Sequence, residues 1–270
     1  MNLPSLAVVI PTFQRPQLLP RAIESALEQE GARVEVVVVD DDPRGSAWPT
    51  LMGLGESRVH YLQMRESSGA RPGRVRNAAL QAISAPLVHF LDDDDQVAPG
   101  AYAALIDALE AHPRAALACG TVEIFGGDPA TVAFEQSYFA RGARRLRRAR
   151  RLGPRAGVLA ALLFGEAPMI TSAALFRREP LLELHGFNPA LSVFEDTDLF
   201  VRAVRRFETC FIDRAVLRHQ VGAPSLAHQP DIEAQAVAAY REIHRAYRDA
   251  HGPLELLSLK LLARTALRLA

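Results

Sequence analysis

Cysteine is scarce in this chain: Cys119 and Cys210 are the only two. That is too few for a disulfide scaffold or a cysteine-built zinc site. Lysine is scarcer, Lys260 being the single one among 31 basic residues. A Walker phosphate loop, which needs GxxxxGK[ST], is therefore excluded, and no GxGxxG marks a dinucleotide site. Net charge is lacking too, with 31 basic residues against 31 acidic ones, which argues against a general nucleic-acid binder. No stretch reaches the ~18 unbroken apolar residues of a membrane-spanning helix. The opening MNLPSLAVVIPT has neither a basic segment nor a long apolar run, so it does not read as a signal peptide. The expectation is a soluble, cytoplasmic protein.

What the chain does have is an ordinary globular composition, 49% hydrophobic and 23% charged over 270 residues. That length predicts one large α/β domain with an appendage. The charges are unevenly spread. Eight arginines lie between Arg141 and Arg155, with no carboxylate between Glu135 and Glu166. The acids cluster at Asp40, Asp41 and Asp42, and again at Asp92, Asp93, Asp94 and Asp95.

Up to residue 112 the hydrophobic pattern alternates between two periods. Apolar runs of strand length at 6–10, 34–39, 59–62 and 87–91 are separated by helical spacings such as Leu19, Ala22, Ile23 and Ala26. A further helix starts at Pro99 and ends near Ala111. Strands buried on both faces, alternating with helices, predict a Rossmann-like, mostly parallel central sheet flanked by helices. The second half reads as less regular. It offers an apolar segment at 158–164, a strand at 172–176, a helix at 195–206 and terminal helices at 232–250 and 254–269. Trp48 falls in a loop, and His60, His89, His112, His185 and His228 have no ligand spacing.

In parallel α/β sheets, ligands bind beyond the carboxyl ends of the strands. The segments 11–15, 40–42, 65–76 and 92–95 each follow a strand, so their charged residues converge on one rim. An acidic cap or a solvated turn would explain a single aspartate. Four in a row exceed what a cap requires. Hard oxygen donors in a small group suit Mg²⁺ or Mn²⁺, which keep waters and take a substrate phosphate as well.

The segments VVIPTFQRPQLLPRAIESALEQ, VEVVVVDDD, GRVRNAAL and VHFLDDDDQVAPG, followed by ITSAALFRR, GFNPALSVFEDTDLFVRA and VLRH, occur in that order from residue 8 to residue 219. This ordered set closely resembles glycosyltransferase family 2, whose members have the GT-A fold. The resemblance implies inverting transfer of a sugar from a nucleotide-diphosphate donor, usually with Mn²⁺ or Mg²⁺. It implies that Pro11, Thr12, Phe13 and Arg15 form the loop beside the donor base. Asp41 would read a base N–H and Arg76 would donate to the base. Asp92, Asp93 and Asp94 cover the DXD motif: Asp92 or Asp93 would reach the ribose, and Asp94 would hold the metal. Asp196 matches the catalytic base, and His219 a position that contacts the metal or the pyrophosphate. The run of three aspartates leaves the register at Asp41 open by one residue.

On this reading the chain divides into a GT-A domain at 1–225, with a nucleotide-binding half (1–112) and an acceptor half (113–225), and a helical extension at 226–270. The chemistry is a metal-assisted departure of nucleoside diphosphate, with a carboxylate taking the acceptor proton. The donor expected is a UDP-sugar. The acceptor expected is a saccharide or lipid-linked sugar of cell-surface polysaccharide or glycolipid synthesis. A catalytically degenerate sugar-nucleotide-binding or scaffold protein is the alternative. A dehalogenase-type phosphatase fits less well, because Gln96 stands where its motif needs a hydroxyl residue. Lys260, Arg264 and Arg268 form a basic stripe beside a leucine face. That pattern suits peripheral contact with the inner face of a membrane, or a homodimer through the terminal helices.

Overall fold

The computed structural model describes residues 3–165, 168–222 and 231–264. Eight strands form one mixed sheet: β1 (Ser5–Thr12), β2 (Arg33–Asp40), β3 (Val59–Gln63), β4 (Leu87–Phe90), β5 (Gln96–Val97), β6 (Ala115–Gly126), β7 (Ala174–Arg177) and β8 (Glu208–Val221). Their order is β3-β2-β1-β4-β7-β6-β8-β5. The first half is parallel, β3 to β4, as the alternating pattern predicts. β7 then runs antiparallel between β4 and β6, while β6 and β8 are parallel to each other.

Leu6, Val8, Val9 and Ile10 of β1 have no exposed surface, nor do Val36, Val38 and Val39 of β2. Helices cover both faces of these strands, which is why the runs are continuous rather than alternating. On one face lies α1 (Leu19–Leu27), which buries Leu19, Ala22, Ile23 and Ala26 at helical spacing. With it come α2 (Trp48–Leu54) and α4 (Ala101–Ala111), which share its apolar cluster. Trp48 therefore starts a short helix rather than lying in a loop, with Pro49 in its first turn. Proline is tolerated there because the first-turn N–H has no partner to lose.

The other face carries α3 (Pro72–Ala82), α6 (Ala156–Phe164) and α8 (Glu195–Arg206). The apolar segment expected at 158–164 is α6, buried almost throughout. The arginine run lies in α5 (Pro129–Leu152), a 24-residue helix capped by Asp128, whose carboxylate accepts from Ala130 N–H and Thr131 N–H. A short 3₁₀ turn (Thr171–Ala173) and α7 (Arg178–Glu183) flank β7.

The chain ends in α9 (Ile232–His251) and α10 (Pro253–Leu262). Ala239, Ile243 and Tyr247 of α9, with Leu259 and Ala263, join the cluster built by α6 and α8. The terminal helix thus docks on the fold through one face, leaving Leu254, Leu257 and Leu261 outside. The rest of the helix expected to residue 269, with Arg268, lies outside the described residues, as does His228. Among the described residues, no helix is long and apolar enough to cross a membrane.

Candidate active site

The register of the parallel strands assembles the rim. Thr12 pairs with Asp40, and Val9 with Phe90, so the ends of β1, β2 and β4 stand side by side. The acidic run leaves β4 as a turn closed by Asp95 N–H donating to Asp92 C=O at 3.1 Å. The turn sorts the four side chains into two pairs. Asp92 and Asp94 keep 39% and 13% of their side-chain surface open, while Asp93 and Asp95 keep none.

Each aspartate has its own partners. Asp93 accepts from Thr12 Oγ1 at 2.7 Å and from Arg15, so it anchors the β1 loop. Both its oxygens are engaged and its side chain is buried, whereas Asp92, the other ribose candidate, is partly open. Arg15 also donates to Asp94 at 3.0 Å. Asp95 accepts from His219 Nδ1 at 2.8 Å and Gln220 N–H at 3.0 Å, because β5 pairs Gln96 with Arg218 on β8. The His219 side chain stays 29% exposed, and its Nδ1 is the nitrogen taken by Asp95. Nothing in the sequence marks Asp95 as the orienting group; only the β5–β8 pairing brings it there.

The first aspartate cluster resolves into three separate jobs. Asp40 accepts from Asp42 N–H, Ala47 N–H and Tyr61 Oη and is wholly buried. Asp42 pairs with Arg44. Asp41 hangs on β1 by its own N–H to Thr12 C=O, and accepts from Ser68 N–H at 2.6 Å and Ser68 Oγ at 2.7 Å. Asp41 thus ties the 67–68 loop to the rim. Pro11 is half-buried, and Phe13 is exposed beside the loop.

Arg76 is engaged by acids on two sides. Its guanidinium is buried, donates to Asp92 at 2.7 Å and to Glu195 at 2.6 Å, and lies over the Phe187 ring. It joins the acidic turn to the first residue of α8. Gly73, one turn earlier on α3, lets the helix approach: a Cβ there would lie 3.0 Å from Phe187 Cβ and 3.4 Å from Glu195 Cγ. α8 itself starts from Phe194, held at φ 57°, a conformation that costs a bulky residue energy and often accompanies functional sites. Asp196 follows, its Oδ1 accepting from Thr197 N–H at 2.6 Å.

The charges do not balance. Among the described residues, the ion pairs of Asp92, Asp93, Asp94, Asp95 and Glu195 draw on three cations, Arg15, Arg76 and His219, and Asp196 adds a further carboxylate beside Glu195. Burial pushes Asp93 up to about 7 against the pull of Arg15, and Asp95 up to about 6 against that of His219. Burial and then Glu195 raise Asp196 to about 7. Burial would raise Asp92, but Arg76, with His219 and Arg15, lowers it. Burial would lower His219, but its bond to Asp95 and the surrounding carboxylates bring it up to about 9. Carboxylates pushed toward protonation by burial and by one another would be stabilised as anions by an added divalent cation. Among the described residues no three His, Cys, Asp or Glu side chains converge as a closed cage. An ion that relies on one or two carboxylates and a substrate diphosphate needs no such cage.

The sheet order and the rim at its strand ends define a GT-A-type α/β fold. The family model "Glycosyl transferase family 2" matches residues 7–184, and the chain belongs to that family. It is 34% identical to the succinoglycan biosynthesis protein ExoO of Rhizobium meliloti, over 41% of this chain and 31% of that protein. It is 32% identical to the GalNAc(5)-diNAcBac-PP-undecaprenol beta-1,3-glucosyltransferase of Campylobacter jejuni, over 38% of this chain and 34% of that protein. The chain thus matches about a third of the length of these two relatives. In fold it is similar to S. aureus TarS 1–349 in complex with UDP, with TM-score 0.65 and 18% identity over 94% of this chain and 70% of that one. It is also similar to the mannosyltransferase PcManGT of Pyrobaculum calidifontis in complex with GDP-Man and Mn²⁺, with TM-score 0.65 and 17% identity over 98% and 71%.

Proposed function

We propose that the chain is an inverting glycosyltransferase, moving a sugar from a nucleotide-diphosphate donor, best a UDP-sugar, to an acceptor hydroxyl of a polysaccharide or glycolipid under construction. The observation that carries this reading is the Asp92–Arg76–Glu195 bridge. It brings the acidic turn so close to the start of α8 that Asp196 feels the charges of Arg76 and Asp92. Family membership supports the transferase activity, and the UDP and GDP-Man complexes of the two fold relatives support a nucleotide-sugar donor.

Hard oxygen donors here suit Mn²⁺ or Mg²⁺: Asp94 would hold the ion and Asp92 would reach the ribose, with His219 Nε2 at the ion or the diphosphate. Bound there, the ion would offset the charge gained by the departing diphosphate. Arg15, fixed between Asp93 and Asp94, adds a preorganised positive charge at the same place. Thr12, Phe13 and Pro11 border the base, with Asp41 and its serine loop below them. Asp196 Oδ2, opposite the oxygen bound by Thr197, takes the acceptor proton. The new C–O bond forms at the anomeric carbon while the bond to the diphosphate breaks on the other face. A carboxyl group near pH 7 is well matched to that proton transfer.

The test is transfer by the purified protein from a panel of nucleotide sugars, with the anomeric configuration of the product read by NMR. Asp196→Asn should lower turnover by about 10²- to 10⁴-fold and leave donor affinity unchanged. Near-parental turnover in that variant would overturn the base. Neither transfer nor donor hydrolysis from any nucleotide sugar would overturn the transferase and favour a binding protein.

A further inference from the structure

Helix α5 presents two unlike faces. Inward, Leu146 and Ala149 are buried and the Phe139 ring meets His219 edge-on at 5.7 Å. Outward, Phe134, Tyr138 and Leu152 are exposed. One turn separates the first two, and about five turns separate Phe134 from Leu152, so all three lie along one stripe. Arg141 and Arg148 fall on the same stripe, and Arg144 and Arg151 flank it. Seven arginines sit on the helix with Glu135 as its one carboxylate. Asp213 engages Arg147, but among the described residues Arg144 and Arg151 meet no acid. The chain as a whole is neutral, so this charge is local to the helix.

We propose that α5 docks on the surface of an anionic lipid bilayer. Arginines alone would suit any polyanion. Two exposed aromatic rings and a leucine on the same stripe suit an interface whose depth is apolar and whose surface is negative. Guanidinium groups on long stems reach head groups while the rings enter the acyl boundary. α10 exposes Leu254, Leu257 and Leu261 as well, but only Lys260 and Arg264 accompany them among the described residues. Charge complementarity therefore selects α5. Docking there holds the His219 side of the rim at the lipid surface, where a lipid-linked acceptor would lie. This last consequence rests on the transferase reading; the docking does not.

The experiment is co-sedimentation of the full chain with phosphatidylcholine vesicles, with and without about 30 mol % phosphatidylglycerol. The anionic vesicles should bind at least about tenfold better at low salt, and the gain should fade at high salt. Phe134→Ser with Tyr138→Ser, and Arg144→Gln with Arg151→Gln, should each cut binding about tenfold or more. Both variants should keep the parental melting temperature and UDP affinity. Leu254→Ser with Leu257→Ser and Leu261→Ser should bind as the parent does. Three results would overturn the proposal: no preference for anionic vesicles, loss in the arginine variant alone (a site for soluble polyanions), or loss only in the α10 variant. UDP binding, measured without vesicles, reports separately on the transferase reading.

Discussion

Asp93 and Asp94 are adjacent and chemically identical, yet the turn assigns them opposite work. Asp93 fastens the β1 loop from inside, whereas Asp94 meets solvent. Asp94→Asn should abolish Mn²⁺-dependent binding of nucleoside diphosphate and leave the circular dichroism spectrum unchanged; parental affinity, measured by calorimetry, would move the metal elsewhere. Arg76 is the costliest side chain to lose. Arg76→Met strands the buried carboxylate of Glu195 and frees the more open Asp92, which should destabilise the fold by about 3 kcal/mol in urea titration. The sequence exposed the acidic run itself but not this division of labour, because a run of one residue type carries no phase. Phase came from contacts made by Thr12, Arg15 and His219, residues 81, 78 and 124 positions away from their partners.

At the scale of elements, strands with apolar runs and the helix at 195–206 were legible, since α8 spans Glu195–Arg206 as its pattern requires. β6 and β8 were not, because β8 alternates poorly and the pair shifts register between Ala115/Leu117, Cys119/Thr121 and Thr121/Val122. α5 was masked by its arginines, whose charge hid a narrow buried stripe of Gly142, Leu146 and Ala149. His89, unremarkable in the sequence, ties three elements. Its Nε2–H donates to Ser172 C=O and its Nδ1 accepts from Tyr102 Oη, both at 2.8 Å. Burial lowers its pKa to about 4. The unfolded chain takes up a proton below about 6.5 that the folded chain refuses, so this contribution is complete above 6.5 and is lost as pH falls toward 4. Relative to His89→Gln, the parent should lose about 3 kcal/mol of stability between pH 7 and pH 4. Parallel pH curves in chemical denaturation would remove His89 from that role.

For the whole molecule, α9 and α10 belong to the core that supports α8. A chain ending at residue 222 would leave the partners of Ile243, Tyr247 and Leu259 uncovered. The lost burial is on the order of 5 kcal/mol, comparable with the total stability of many domains, so that chain should lose a cooperative melting transition. Conversely, a donor present at about a hundredfold over its dissociation constant should add about 2.7 kcal/mol to stability, visible as a raised melting temperature.

The site also has a history in time. Thr12 finds Asp93 across 81 residues, Arg76 finds Glu195 across 119 and Asp95 finds His219 across 124. Contacts of such sequence separation form slowly, since loop entropy must be overcome before they are rewarded. During synthesis, no ribosome-bound fragment shorter than about residue 219 can contain them all. Nucleotide binding should therefore return last on refolding, behind helix content, and lag it by the slowest kinetic phase. Ligand capture then serves as a clock for complete folding, where secondary structure marks only its beginning.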